Sequence, residues 1–159
     1  MKNLVLFKSK YGSTKQYAQF ISEALNCPMD DISNLKNYDL ENYDSIILGE
    51  GVYAGKLKTP KILKEIIRKY PNKTYVFFLV GIADMKDKEN TDRLYGDMKN
   101  YLGDDIEKIK VFFLRGAMDY SKLSFKHSLM MWMLYQSIKN KPEDKLPKDA
   151  NEVIDTYGK

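Results

Sequence analysis

The chain has one cysteine, Cys27, among its 159 residues. No intrachain disulfide can form, and the same count excludes a thiolate-bound metal cluster. It has one histidine, His127, so the two residues together fall short of a His/Cys zinc site. A Ser-His-Asp triad would have to be built on His127, and a lone histidine is more often a surface or capping residue, so no role is assigned to it. Tryptophan also occurs once, yet there are 12 Tyr and 7 Phe, and 43% of residues are hydrophobic against 30% charged. A disordered chain would be poor in such aromatics, and this length is enough to bury a real core in a single domain over 1–159. No internal repeat, low-complexity tract or dividing linker is visible. The apolar run Asn3-Leu4-Val5-Leu6-Phe7 is too short for a signal peptide or a membrane span, and a reducing cytoplasmic compartment is the expectation.

The formal net charge is +4, from 26 basic and 22 acidic side chains. Residues 115–148 alone hold seven Lys/Arg and three Asp/Glu, so the excess sits in one stretch near the C-terminus. Such a stretch reads as a site for nucleic acid, an anionic membrane or an acidic ligand, or as a solvated lysine-rich surface.

Continuous apolar runs alternate with helical patterns. Leu4 to Phe7, Ser45 to Gly49, Thr74 to Val80 and Val111 to Leu114 are the runs. Pro28 to Ile32 is a weaker candidate whose acids, Asp30 and Asp31, suit a sheet edge. Between them, helical spacing places Tyr17, Ala18, Ile21, Ala24 and Leu25 on one face. Ile62, Leu63, Ile66, Ile67 and Tyr70 form a second face, and Leu94, Tyr95, Met98, Tyr101 and Leu102 a third. Thr59-Pro60 reads as an N-cap followed by proline at the first helical position. Asp149-Ala150-Asn151-Glu152 resembles a capping box for a last helix through Val153, Ile154 and Tyr157. Strands apolar on both faces and separated by amphipathic helices predict a parallel sheet covered on both sides. For five strands the usual order is 2-1-3-4-5, with the ligand at the carboxyl ends of the first and third, where the order reverses.

That rule directs attention to three loops. After the first strand comes Lys8-Ser9-Lys10-Tyr11-Gly12-Ser13-Thr14, directly before a helix. Free N–H groups and the positive end of the helix dipole favour a phosphate there, and Gly12 lets the backbone approach closely. The spacing fits neither a nucleotide P-loop nor a dinucleotide fingerprint. The same residues also read as a hydroxyl N-cap with a turn glycine. After the third strand, Glu50-Gly51-Val52-Tyr53-Ala54-Gly55-Lys56 sets one flat aromatic group between glycines, either as a wall for a planar ligand or as an irregular surface turn. After the fourth, Gly81-Ile82-Ala83-Asp84-Met85 faces the same crevice.

Gly12-Ser13-Thr14, Gly51-Val52-Tyr53-Ala54-Gly55 and Gly81 resemble the three flavin-contacting loops of flavodoxins, over nearly the whole chain. The resemblance implies a flavodoxin-like doubly wound five-stranded α/β fold and bound FMN. The phosphate would lie on Ser9, Lys10, Tyr11, Gly12, Ser13 and Thr14. The isoalloxazine ring would lie between Gly51, Val52, Tyr53, Ala54, Gly55 and Lys56 on one side and Gly81, Ile82, Ala83 and Asp84 on the other. Ordinary flavodoxins are acidic, and this chain is not. A narrower resemblance joins Phe113-Leu114-Arg115-Gly116-Ala117-Met118-Asp119-Tyr120, and the Met-rich stretch after it, to the bacterial flavodoxin-type protoporphyrinogen oxidases. Gly116, Ala117 and Tyr120 match that family, Lys10 corresponds to the basic residue of its phosphate loop, and Asp119 stands where it has Arg.

Leu129-Met130-Met131-Trp132-Met133-Leu134-Tyr135 would cover every side of a helix over 124–140, an extra element after the last strand. Lys122, Lys126, Lys139 and Lys141 flank it. It reads as a surface for lipid or a greasy ligand, or as core or a dimer interface. The expectation is an FMN-dependent oxidoreductase of the protoporphyrinogen oxidase type. It would take electrons from a hydrophobic or porphyrin-like donor, pass them to a quinone, and touch the membrane peripherally through 124–140. The alternatives are a soluble electron carrier that docks to a redox partner protein, and a cofactor-free basic binding module. No nucleic acid, metal or side-chain catalyst is expected.

Overall fold

A computed structural model describes residues 1–10, 12–52, 56–81 and 86–116, with 129, 132, 133, 135 and 136 beyond them. The chain divides into two compact units, Met1–Asp119 and Tyr120–Lys159.

In the first unit the elements run β1 (Asn3–Lys8), α1 (Ser13–Leu25), β2 (Met29–Asp31), β3 (Ser45–Gly51), α2 (Pro60–Lys69), β4 (Thr74–Gly81), α3 (Lys88–Leu102) and β5 (Ile109–Arg115). Short 3-10 helices at Ile32–Asn37, Leu40–Asn42 and Gly103–Lys108 lie in the connections. The strands pair in parallel in the order β2-β1-β3-β4-β5, as the alternating pattern predicts. Each apolar run extends by one or two residues beyond its sequence bounds, because neighbouring strands continue the ladder past the last apolar side chain. The weak candidate at 28–32 is a true edge strand of three half-buried residues.

β3 is buried along its whole length and β4 along all but its first residue, as strands covered on both faces must be. Leu4, Leu6, Ile46, Leu48, Tyr75, Phe77 and Leu79 meet Leu63 and Ile67 of α2 and Leu94, Met98 and Leu102 of α3 in one core. Two tyrosines depart from expectation. Tyr95 and Tyr101, placed by spacing on the inner face of α3, stand 40% and 52% exposed. The narrow stripe Leu94, Met98 and Leu102, one residue every four, is enough to seat that helix. On α2, Leu63, Ile66 and Ile67 are buried while Ile62 and Tyr70 lie half-buried at the margin.

Of the expected helix at 124–140, the described residues 129, 132, 133, 135 and 136 are helical. Leu129 and Met133, one turn apart, are buried, and Trp132, Tyr135 and Gln136 are half-buried. The rest of that helix, His127, the positions 117–120 and the expected last helix at 149–157 lie outside the described residues.

Candidate functional site

The strands deliver their carboxyl ends to one rim of the sheet. Lys8 of β1 stands in register with Glu50 of β3, Gly51 of β3 with Val80 of β4, and Gly81 of β4 with Arg115 of β5. Pairing continues past the strands. Val52 N–H donates to the Val80 carbonyl at 2.8 Å, and Gly116 N–H to the Gly81 carbonyl at 2.7 Å. Across the same rim, the Tyr17 hydroxyl of α1 donates to the Arg115 carbonyl at 3.0 Å.

The loop after β1 is built around Gly12, which caps α1 in a left-handed conformation with φ +95°. Its N–H donates to Ser9 Oγ at 3.0 Å, and its carbonyl accepts from Gln16 N–H at 2.9 Å to close the first helical turn. A glycine cap has no side-chain oxygen of its own for the first N–H groups of the helix, which it leaves turned toward the loop. Ser13 is half-buried, Thr14 is buried at 1% exposure, and Lys10 and Lys15 are exposed. A cleft of about 520 Å³ opens beside this loop toward β2. Ser9, Lys10, Gly12 and Lys15 line one side of it, and Asp30 and Asp31 line the other. The two acids already have partners. Asp30 accepts from Asn34 Nδ2, Tyr38 Oη and Asp31 N–H, each at 2.8 Å, and Asp31 accepts from Ser33 N–H at 2.9 Å. The Asn34 bond and then the Tyr38 bond hold the Asp30 carboxyl below the usual carboxylate range.

The two ends of the segment after β3 are joined by a residue that spacing did not single out. Glu50, 1% exposed, points its carboxylate at the start of α2. One oxygen accepts from Lys58 N–H at 2.5 Å, and the other from Thr59 N–H at 3.0 Å and Thr59 Oγ1 at 2.5 Å. Thr59 is the cap residue of α2, followed by Pro60, as expected. Its hydroxyl makes no capping bond, however, and donates to Glu50 instead. The sequence signal was an acid closing an apolar strand nine residues before a Thr-Pro helix start.

Of the expected site residues, the structure brings Ser9, Lys10, Gly12, Ser13, Thr14, Gly51, Val52, Lys56 and Gly81 to this rim, with Gly51 and Gly81 buried and Lys56 exposed. Tyr11, Tyr53, Ala54, Gly55, Ile82, Ala83 and Asp84 lie outside the described residues. Among the described residues the one cysteine is not poised as a nucleophile. Burial pushes the Cys27 thiol up to about 11, which keeps it protonated at neutral pH, and Cys27 follows the far end of α1. Among the described residues no three His, Cys, Asp or Glu side chains gather as a metal site. The arrangement is suited to holding an anion on α1 and a flat group between the ends of β3 and β4.

A parallel sheet in this order, with a glycine-capped helix after β1 and glycine-bearing segments after β3 and β4, defines the flavodoxin-like class of α/β domain. Residues 4–145 match the flavodoxin-domain family model, and the chain belongs to that family. Solved structures share the fold at low identity. Oxidised flavodoxin 2 from Bacillus cereus superposes with a TM-score of 0.55 at 15% identity, over 81% of this chain and 94% of that one. A flavodoxin from the domain Archaea gives 0.52 at 15% identity, over 81% and 93%. A flavoprotein from Lactobacillus acidophilus, crystallised in complex with FMN, gives 0.50 at 18% identity, over 77% and 98%. An uncharacterised protein of Methanocaldococcus jannaschii is 33% identical over 110 residues, 65% of this chain and 73% of its own length.

Proposed function

We propose that the protein is an FMN-binding redox flavoprotein. The observation that carries this reading is the glycine-capped start of α1 at the point where strand order reverses, with Ser9, Ser13 and Thr14 around it. These residues fit a single phosphate, which the N–H groups of the first turn, the helix dipole and Lys10 would hold. Gly51, Val52 and Lys56 on one side and Gly81 on the other would flank the ring. FMN when bound supplies electron and hydride chemistry at its isoalloxazine ring. The chain's own residues bind it, orient it and set the charge around it.

Within that reading, the favoured activity is oxidation of a hydrophobic or porphyrin-like donor with transfer of electrons to a quinone. Gly116, Ala117 and Tyr120, the basic stretch 115–148 and the lysine-flanked apolar run 129–135 support it. Peripheral membrane contact through 124–140 belongs to the same proposal. No described helix is long and apolar enough to cross a membrane. Asp119, in place of the arginine that would pair with an anionic donor, favours the second reading, a carrier that docks to a redox partner.

The decisive experiment releases the cofactor from purified protein by heat and identifies it by chromatography. FMN is expected, and FAD or a nicotinamide dinucleotide as the tight ligand would overturn the site assignment. Anaerobic reduction of the FMN-loaded protein by candidate donors, with and without a quinone, then separates oxidoreductase from carrier.

A further inference from the structure

We propose that Glu50 is a positioning residue for flavin binding, acting through the segment between β3 and α2; the inference rests on the FMN reading. Three facts carry it. Glu50 is buried at the end of β3, immediately before the segment Gly51–Lys58. Its carboxylate accepts from Lys58 N–H, Thr59 N–H and Thr59 Oγ1, so both oxygens are spent on the far end of that same segment. All three donors lie at the start of α2, where an anion is favoured by the helix dipole. Glu50 thus holds the cap residue of α2 and the residue before it, outside the helix's own N–H groups, and in doing so it ties the two ends of the ring-flanking segment together.

With its two described ends already joined in the free protein, the segment has less chain entropy left to lose when the ligand arrives. Preorganisation of this kind appears directly in the dissociation constant, because only the competent fraction binds. The bonds are charge-assisted and sheltered from water, which places them among the stronger hydrogen bonds. Glu50 bonds to the end of the segment, and on the FMN reading the segment would flank the ring and not the phosphate. A defect should therefore weaken binding of the ring whether or not a phosphate is attached.

The test compares FMN with riboflavin, which lacks the phosphate, on Thr59→Val, Thr59→Ser and Glu50→Gln. Thr59→Val removes one donor and keeps the shape, Thr59→Ser keeps the hydroxyl, and Glu50→Gln turns one acceptor into a donor facing an N–H. Thr59→Val and Glu50→Gln are expected to weaken both ligands by the same factor, about tenfold or more, the scale of one hydrogen bond to a charged group. Thr59→Ser restores wild-type affinity. Ser13→Ala, in the phosphate loop, weakens FMN and leaves riboflavin unchanged. In ligand-free protein, tryptic cleavage after the exposed Lys56 and Lys58 is faster in Thr59→Val than in wild type. Unchanged affinities and unchanged cleavage in a folded Thr59→Val protein overturn the positioning role and leave the FMN reading standing. Weakened FMN with unchanged riboflavin also overturns it. If wild-type protein binds neither flavin, the FMN reading fails and this role fails with it, whatever the cleavage rates.

Discussion

The Phe78 ring lies against the backbone of Gly49, its register partner on the neighbouring strand: a Cβ at position 49 would stand 2.1 Å from Phe78 Cζ. The contact lies one residue before Glu50, so packing between two central strands sets where the buried carboxylate emerges. The glycine is there for space, which the aromatic ring occupies.

Gly49→Ala should therefore cost about 1–3 kcal/mol, the usual range for overpacking a filled core. Phe78→Leu in the same chain should recover part of that loss, because the smaller side chain vacates the space. Urea denaturation of the two single variants and the double variant measures the coupling. An alanine variant as stable as wild type would show that the ring is not seated on that backbone.

Gly12 makes the opposite case. Nothing lies within 4 Å of a Cβ built there, but its φ is +95°. Gly12→Ala meets no steric obstacle and still has to hold a conformation that costs an L residue roughly 1–2 kcal/mol. FMN affinity should fall while the core, read by the near-ultraviolet spectrum, is unchanged. Gly12→Asn should be milder, since asparagine tolerates the left-handed region better. Equal affinities for glycine and alanine at this position would remove the backbone argument for the phosphate site.

Charge around the flavin should set its potential. Lys10 and Lys56 are exposed at the loops expected on either side of the cofactor, and positive charge stabilises the anionic reduced flavin. Lys56→Gln should make the couple for the fully reduced flavin more negative, by an amount that shrinks with added salt. A spectroelectrochemical titration decides it. A couple as negative as that of an acidic flavodoxin, unmoved in Lys56→Gln, would refute the charge argument.

The sheet was legible because its inner strands are apolar on both faces, a pattern with few other uses. The positions of Ser9, Gly12, Ser13 and Thr14 followed, since strand order dictates which loop faces the switch point. Tyr95 and Tyr101 were misplaced because tyrosine carries an apolar ring and a polar tip, so helical spacing counts it as core although its hydroxyl favours water. The partner of Thr59 was not legible at all. Its hydroxyl could bond its own helix or a carboxylate arriving from a strand, and only the fold brings Glu50 there. The cleft beside β2 was hidden for a similar reason, because it needs Asp30 and Asp31 at the end of a strand of three residues.

The bond from Tyr38 to Asp30, at 2.8 Å, should be visible in the pH dependence of stability at both extremes. On the acid side Asp30 is held below its usual range, first by Asn34 and then by Tyr38. Its contribution is complete above about pH 4 and is lost as pH falls through the lowered value. On the alkaline side Tyr38 is held above its usual range, chiefly by the same bond to Asp30. That contribution is complete below about pH 10 and is lost as pH rises through the raised value. Tyr38→Phe should flatten the alkaline edge and weaken the acid one, and Asp30→Asn should flatten the acid edge. Urea midpoints across the pH range measure both. Acid and alkaline edges unchanged in these variants would show the bond absent in solution.

The apolar stretch at 129–135 separates the two activities proposed, and its described residues suggest how to test it without breaking the protein. Leu129 and Met133 are buried, while Trp132 is half-buried. A charge at a buried apolar position costs several kcal/mol, so Met133→Glu should lower the unfolding midpoint sharply. Trp132→Glu should cost far less and leave FMN bound, since no phosphate-loop or ring-flanking residue comes from this stretch. If the stretch rests on lipid, Trp132→Glu should abolish association with anionic liposomes and slow reduction by a hydrophobic donor, because an acidic group repels the surface and resists desolvation. Circular dichroism and bound-flavin absorbance confirm that the variant is folded and loaded. Loss of fold or flavin in Trp132→Glu would assign the stretch to the core. A folded, loaded variant with unchanged liposome binding and unchanged donor kinetics would rule out the interfacial role and leave electron carriage between soluble partners as the better account.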